Sequence, residues 1–359
     1  MQSMRLVATC LCVVVAAPCN GLTAEPAGDE AAPSPRIAVA GTLQLPDSAP
    51  TGDGATIEVA GVSGVTWLGA DRWAAVMDSG AAFLTFALDL DPAGEPRGIR
   101  DVRAVRLAEP HDYEDLAPCP PGLAGRLAAD GSGHGRLLLC EEDTPAIHVV
   151  DEAGTIVGGV ALPAPFARRR PNRGCEAVCT AADGATIWTA TEEALPDDGP
   201  PPDRSRGTVV RLVAAAADGS GLRQFAYAVD PPHLFVPVGA GEVYSGVVAL
   251  ACLDDGRLLV LERSAGRGLP PFENRLYAVD TRTAAALPAD ATALADRPEA
   301  HVAKRLLWRA ALGCNLEGLA LGPALAGGGI ALVAVADAEG LDAPNHLVVL
   351  RMGDPLTSP

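Results

Sequence analysis

Aromatic side chains are scarce in this chain of 359 residues, at 4% of positions, whereas glycine occurs 39 times and proline 31 times. A core dominated by large rings is thereby excluded, and small-residue sheet packing with many turns is the reading that remains. Long apolar runs are missing too. The stretch "LVATCLCVVVAA" has 12 residues, whereas a membrane-spanning helix takes roughly 20, and no other segment comes closer to spanning. Basic charge is in deficit, with 27 Lys and Arg against 45 Asp and Glu and a formal net charge of −18. Such a surface repels nucleic acid and anionic lipid unless a cation intervenes. Neither a G-x-S-x-G elbow nor an H-x-x-x-H pair occurs, which removes two common hydrolase signatures.

What is present begins with an export pattern. A short basic start at Met1–Arg5, the apolar stretch and "LTA" before Glu25 predict a signal peptide over residues 1–24, hence a periplasmic or secreted protein. Pro18 directly before Cys19 argues against a lipid anchor at that cysteine. Residues 25–35, "EPAGDEAAPSP", read as a flexible lead-in, and residues 36–359 as one domain. Cleavage would leave Cys119, Cys140, Cys175, Cys179, Cys252 and Cys314. An even number in an exported chain permits disulfides in many connectivities, and buried thiols are the equal alternative. Cys175 and Cys179 on one strand lie roughly 13 Å apart and cannot pair with each other. The spacings match no zinc pattern.

A paragraph of sequence then recurs five times: "VSGVTWLGADRWAAVMDSG", "YEDLAPCP…GRLLLCEED", "CEAVCTAADGATIWTATEEA", "YSGVVALACLDDGRLLVLERS" and "LEGLALGP…IALVAVADAEG". Each copy is an apolar strand opening on Glu or Ser-Gly, a turn, and a second apolar strand ending in an acid. Two of the turns carry Asp-Gly, which suits a hairpin. Two further strand-like segments follow each copy except the last, where only "NHLVVLRM" remains; "RIAVAGTLQL", residues 36–45, is the spare strand. The copies start about 50 to 70 residues apart, and the expectation is an all-β β-propeller of five four-stranded blades closed by the N-terminal strand. A sixth, degenerate blade and a pair of β-sandwiches are the rival architectures.

In a propeller the first strand of each blade lines the central channel. Glu114, Glu176 and Glu317 then fall at equivalent places, with Ser63 and Ser245 in the other two blades. The second-strand endings align as Asp78, Glu141, Glu192, Glu262 and Asp337. Gathered carboxylates raise one another's pKa unless positive charge sits among them. One source of such charge is internal: Arg170 and Arg263 adjoin the acids, with Arg168 and Arg169 close by. The other is a hard cation, and carboxylate and carbonyl oxygens suit calcium. Glu114, Glu176, Glu317, Glu192, Glu262 and Asp78 are the candidate ligands, and Asn172 and Asn315 offer carbonyl oxygens. Glu176, Arg170 and Arg263 are the candidate catalytic set; Asn172, Asn315 and His111 are the candidate substrate-binding set. The alternative is that the acids only cap turns and pair with Arg between blades.

The motifs "GVSGVTWL", "DYEDLAP", "RPNRGCEAV", "TEEAL", "DDGRLLVLERS", "NRLYAVD" and "NLEGLALGP" occur in this order across residues 61–322, and "NHLVVLRM" continues the match. Together they resemble the phytase-like family, also described as "esterase-like activity of phytase". The resemblance implies an exported propeller-like domain, and related propeller phytases suggest calcium and phosphate-ester hydrolysis. Glu176 falls where the family has an acid after "RPN.G", although Cys175 and Ala177 replace the usual flanking aromatic and glycine. The dense Asp and Lys clusters of a phytate-degrading site are missing. The resulting expectation is a calcium-dependent hydrolase of a small anionic phosphate ester or other ester. Lactonase chemistry and a non-catalytic propeller binding a ligand or a protein are the alternatives.

Overall fold

The computed structural model describes residues 37–353 except 79–81, 121–135, 217–220, 234–242, 267–269, 312 and 338–343. The expected signal peptide (1–24), the lead-in (25–35), Cys19 and His134 lie outside the described residues. Strand β1 (Ile37–Gln44) precedes a short hairpin of β2 (Ser48–Pro50) and β3 (Thr56–Glu58). Blade 1 is β4 (Val62–Gly69), β5 (Arg72–Met77), β6 (Ala82–Leu90) and β7 (Pro96–Arg106). Blade 2 is β8 (Tyr113–Cys119), β9 (Arg136–Glu141), β10 (Ala146–Val150) and β11 (Ile156–Ala161). Blade 3 is β12 (Cys175–Thr180), β13 (Thr186–Thr191), β14 (Val209–Ala216) and β15 (Arg223–Ala228). Blade 4 is β16 (Tyr244–Cys252), β17 (Leu258–Ala265), β18 (Phe272–Asp280) and β19 (Ala303–Ala310). Blade 5 joins β20 (Asn315–Ala324), β21 (Ile330–Asp337) and β22 (His346–Met352) to β1.

Strands β4, β8, β12, β16 and β20 touch one another in cyclic order, so the five antiparallel sheets close into a ring. The all-β, five-bladed β-propeller expected from the repeat is therefore the observed fold, clasped by β1. Among the described residues there is no sixth blade, and helix is limited to short 3-10 turns. The second strand of each blade is sandwiched between neighbouring sheets. Runs such as "RLLLCE" and "IALVAVAD" are buried on both faces, so they read as continuous apolar stretches rather than alternating ones. Blades 1 and 5 share one such core, with Val62, Trp73, Leu84, Val333 and Val349 fully or almost fully removed from water. Each such side chain contributes on the order of 1.5–3 kcal/mol relative to exposure.

The inner strands approach closely where a glycine faces the neighbouring blade. A Cβ on Gly318 would stand 2.7 Å from the Ser63 carbonyl oxygen and 2.8 Å from the Gly64 Cα. Only glycine fits between β20 and β4 at that level. Asp115 ties the next pair: its carboxylate accepts from the Leu116 N–H at 2.8 Å and, across the blade boundary, from the Val178 N–H at 2.9 Å.

The connection between β18 and β19 leaves its own blade. Leu287, Ala291, Leu294 and Ala300 pack on Ala226 of blade 3. Fully buried Arg211 anchors this excursion, with two N–H groups on Asp198 at 2.6 and 2.7 Å, one on Gln224 at 2.5 Å and one on the Ala291 carbonyl at 2.8 Å. A buried ion pair is tolerable when most of its remaining hydrogen-bonding capacity is filled, and four of the five Arg211 N–H groups are bonded here.

Candidate functional site

Every inner strand carries a β-bulge, and the bulges position the site. One extra residue stands unpaired at Ser63, Glu114, Glu176, Val248 and Glu317, in blades 1 to 5 respectively. The pairs just before the bulges are Val62–Met77, Tyr113–Glu141, Cys175–Thr191, Val247–Glu262 and Leu316–Ala336. The next residue of each second strand is thus Asp78, Glu142, Glu192, Arg263 and Asp337. Seven carboxylates and one guanidinium occupy these equivalent places, and Asp112 joins them beside Glu114.

Oxygens of Glu142, Glu176 and Glu192 lie within 4.8 Å of one another, and so do oxygens of Asp112, Glu114 and Glu142. The first three residues are buried; Asp112 and Glu114 are half-buried. Arg263 donates to the Asn315 side-chain oxygen at 2.6 Å, to Glu192 Oε1 at 3.0 Å and to Glu317. Asn315 in turn donates to Glu317 at 2.8 Å. Arg173 holds the other oxygen of Glu192 at 3.1 Å. Both guanidiniums stand over the Tyr244 ring, at 4.3 Å for Arg173 and 5.3 Å for Arg263. Glu142 accepts from the Gly174 backbone N–H.

Three guanidiniums, those of Arg263, Arg173 and Arg169, act on this group, and burial still raises several of its carboxyls. Burial pushes the Glu142 carboxyl up to about 7 against the Gly174 hydrogen bond, and the Glu317 carboxyl up to about 7 against Arg263. Glu192 is raised to about 6 by burial even with both arginines on it. Glu176 stands well above the carboxylate range through burial first and then the charges of Glu192, Glu114 and Glu142. Glu114 is raised well above it by burial and by Glu142 and Asp112. The donor set is all oxygen, as a hard cation requires. Oxygens about 2.4 Å from a shared calcium lie no more than about 4.8 Å apart, so either triad fits one ion.

A family profile described as "Phytase-like: Esterase-like activity of phytase" matches residues 57–339. The chain belongs to the phytase-like family. Its structure is similar to the PQQ-bound aldose sugar dehydrogenase of Streptomyces coelicolor, with 14% identity, a TM-score of 0.41 and coverage of 90% of this chain and 100% of that one. It is also similar to an endo-arabinase from Bacteroides thetaiotaomicron VPI-5482, with 12% identity, a TM-score of 0.44 and the same coverage. Comparison with curated proteins returns no match.

Of the residues singled out in this phytase-like sequence, Glu114, Glu176, Glu192, Glu317, Asp78, Arg263 and Asn315 converge at the ring of bulges. Glu262 does not. It turns to the other face of β17 and accepts from Tyr227 at 2.7 Å, Lys304 at 2.6 Å and the Asp230 N–H at 3.1 Å. Glu141 likewise points away, 3.6 Å from His111, and Glu142 takes the ring place. Arg170 is bound to the carbonyls of Ala194 and Gly199, the latter at 3.1 Å, and lies 3.3 Å from Glu193. Asn172 is an exposed turn residue at φ 55°, whose carbonyl accepts from Arg173 at 2.6 Å. His111 meets His148 edge to face, with ring centroids 4.9 Å apart, and lies 3.6 Å from Glu141 rather than among the ring of acids. Ser245 pairs regularly with Ser264, because the bulge of blade 4 comes later, at Val248. Glu142, Arg173, Asp112 and Tyr244 belong to the site without having been singled out. The run "EED" at 141–143 was the available signal for Glu142.

Proposed function

We propose that this phytase-like propeller is a calcium-dependent hydrolase of a small phosphate ester or other ester, acting where the bulged strands gather their acids. The observation that carries the reading is the buried triad Glu142, Glu176 and Glu192, whose oxygens lie within 4.8 Å of one another and whose carboxyls burial raises despite the arginines around them. Bound calcium would polarise an ester or phosphoryl oxygen and ease ionisation of a water. Glu142, Glu176 and Glu192 would hold that ion, with Glu114 and Asp112 at its more open side. Glu192 has each oxygen fixed by a different arginine and serves as a rigid ligand. Arg263 is committed to Glu192, Glu317 and Asn315, so its part is to position them. Arg173 has guanidinium N–H groups beyond its bonds to Glu192 and the Asn172 carbonyl, and it is the group to hold an anionic substrate. The carboxyl of Glu176, raised by burial, is the candidate to accept a proton from water. Residues 1–24 support the further reading that the protein is periplasmic or secreted. No helix among the described residues is long and apolar enough to cross a membrane.

The test is turnover of phosphomonoester and carboxyl-ester substrates in calcium and in EDTA. EDTA should abolish turnover and Glu176→Gln should lower it by at least about tenfold. Undiminished turnover in EDTA would sink the metal role. Saturable binding of these compounds without turnover would replace the hydrolase by a ligand-binding propeller.

A further inference from the structure

The bulge at Glu176 also sorts the cysteines of β12. Four residues apart on a regular strand, Cys175 and Cys179 would face the same side. Here Cys175 pairs with Thr191 and Ala177 with the adjacent Ala190, so the strand changes face across the bulge. Cys175 consequently enters the core between blades 2 and 3, and Cys179 the core between blades 3 and 4. A second cysteine meets each of them. The Cys140 thiol of β9 donates to Cys175, and both sulfurs contact Thr189 Oγ1, at 3.7 and 3.0 Å. On the other side the Cys179 thiol donates to Cys252 of β16.

We propose that these contacts are the sites of two disulfides, Cys140–Cys175 and Cys179–Cys252, which fasten blade 3 to both of its neighbours and leave Cys119 and Cys314 as thiols. Each bond forms by exchange with a disulfide oxidant such as oxidised glutathione. A thiolate attacks the oxidant, one glutathione thiolate leaves, and the second protein sulfur displaces the other. One protein S–S bond forms, and the two electrons and the two protons of the protein thiols pass to the oxidant, which leaves as two thiols. Cys252 is the attacking sulfur of its pair, because the hydrogen bond from Cys179 holds its pKa below the ordinary thiol value. Cys179 and Cys252 each keep 7% of their surface exposed, whereas Cys140 and Cys175 keep none. Oxidant added to the folded, reduced protein should therefore close Cys179–Cys252, and Cys140–Cys175 should close only during folding.

The full chain is to be refolded from the reduced, denatured state in oxidised glutathione, alkylated and digested without reduction. Cleavage after Glu176 separates the two halves of β12, so the linked peptides report each bond independently. Of the six described cysteines four should lose their thiols relative to the reduced chain, with Cys140 linked to Cys175 and Cys179 to Cys252. In Cys252→Ser the second linked peptide should vanish, the first should persist, and two thiols should be lost. Retention of all four thiols in the wild-type chain, or peptides linking other cysteines, overturns the proposal whether or not the variant folds.

Discussion

Glu262 and Glu192 are both buried acids near the end of a second strand and burial raises both carboxyls, yet their surroundings are charged differently. Around Glu262 every acid has its cation. Lys304 lies 2.6 Å from Glu262 and 2.7 Å from Asp230, and Arg275 and Arg309 each stand 2.7 Å from Glu273. Tyr227 and Tyr277 wall in the Lys304 ammonium at 4.9 and 4.2 Å. Hydrogen bonds from Lys304 and Tyr277 outweigh burial at Asp230 and hold its carboxyl below the usual range. Around Glu192 the arginines are Arg173, Arg263 and Arg169, and Glu142, Glu176, Glu192 and Glu317 are all pushed upward despite them. The first group is complete as it stands. The second gathers more acids than cations, and the proposed cation site rests on that difference.

The sharpest way to break this contrast is to remove one cation from each group. Arg263→Met and Lys304→Met should each cost about 3–5 kcal/mol, since each leaves buried carboxylates without their partner. Calcium should restore part of the Arg263→Met loss and none of the Lys304→Met loss, read as thermal midpoints. Next in size is the response of the wild-type chain to calcium, about 2.7 kcal/mol at 100 times the dissociation constant. Glu176→Gln should remove that rise, and Glu262→Gln should keep it. Equal responses in these two variants would show that the two groups do not differ in the way described.

A smaller effect separates the groups by pH. Folded Glu142 and Glu317 hold their protons to about 7, against an ordinary value of 4.5. Their contribution is complete below about 4.5 and is lost as pH rises through about 7, by up to about 1.4 kcal/mol per pH unit for each group. Asp230 runs the other way: its contribution is present above its ordinary value of 3.8 and is lost as pH falls below that. Denaturant titrations in EDTA should therefore show stability declining from pH 5 to 7 (a range of about two units), and calcium should flatten the decline because the ion requires deprotonated ligands. The smallest expected change is Asn172→Ala, about 1 kcal/mol from its left-handed backbone, with the calcium response intact.

The propeller was legible because blade burial leaves marks that survive in a single sequence: continuous apolar second strands, repeated openings, and a spare strand at residues 36–45. The site was legible only to within a residue. Aligning the second strands by their first acid selected Glu141 and Glu262, whereas the bulges select Glu142 and Arg263. A bulge shifts every later side chain to the opposite face and has no residue signature of its own, so neither "EED" nor "LER" reveals which member faces the channel. In blade 4 the bulge also falls three positions beyond Ser245, which sequence similarity had matched to the acids. Arg170 and Arg173 are likewise indistinguishable in "RRRPNR"; the turn at Asn172 sends the first to the Ala194 and Gly199 carbonyls and the second to Glu192.

The pairing of β1 with β22 joins residues about 300 positions apart. On a nascent chain β1 emerges among the first strands and its partner among the last, so β1 must wait with an open edge while four blades take shape. A polypeptide cut short before His346 would leave unpaired edges on both β1 and β21, and such edges are templates for aggregation. The clasp therefore doubles as a check on completeness, since only a chain translated through β22 can hide both edges.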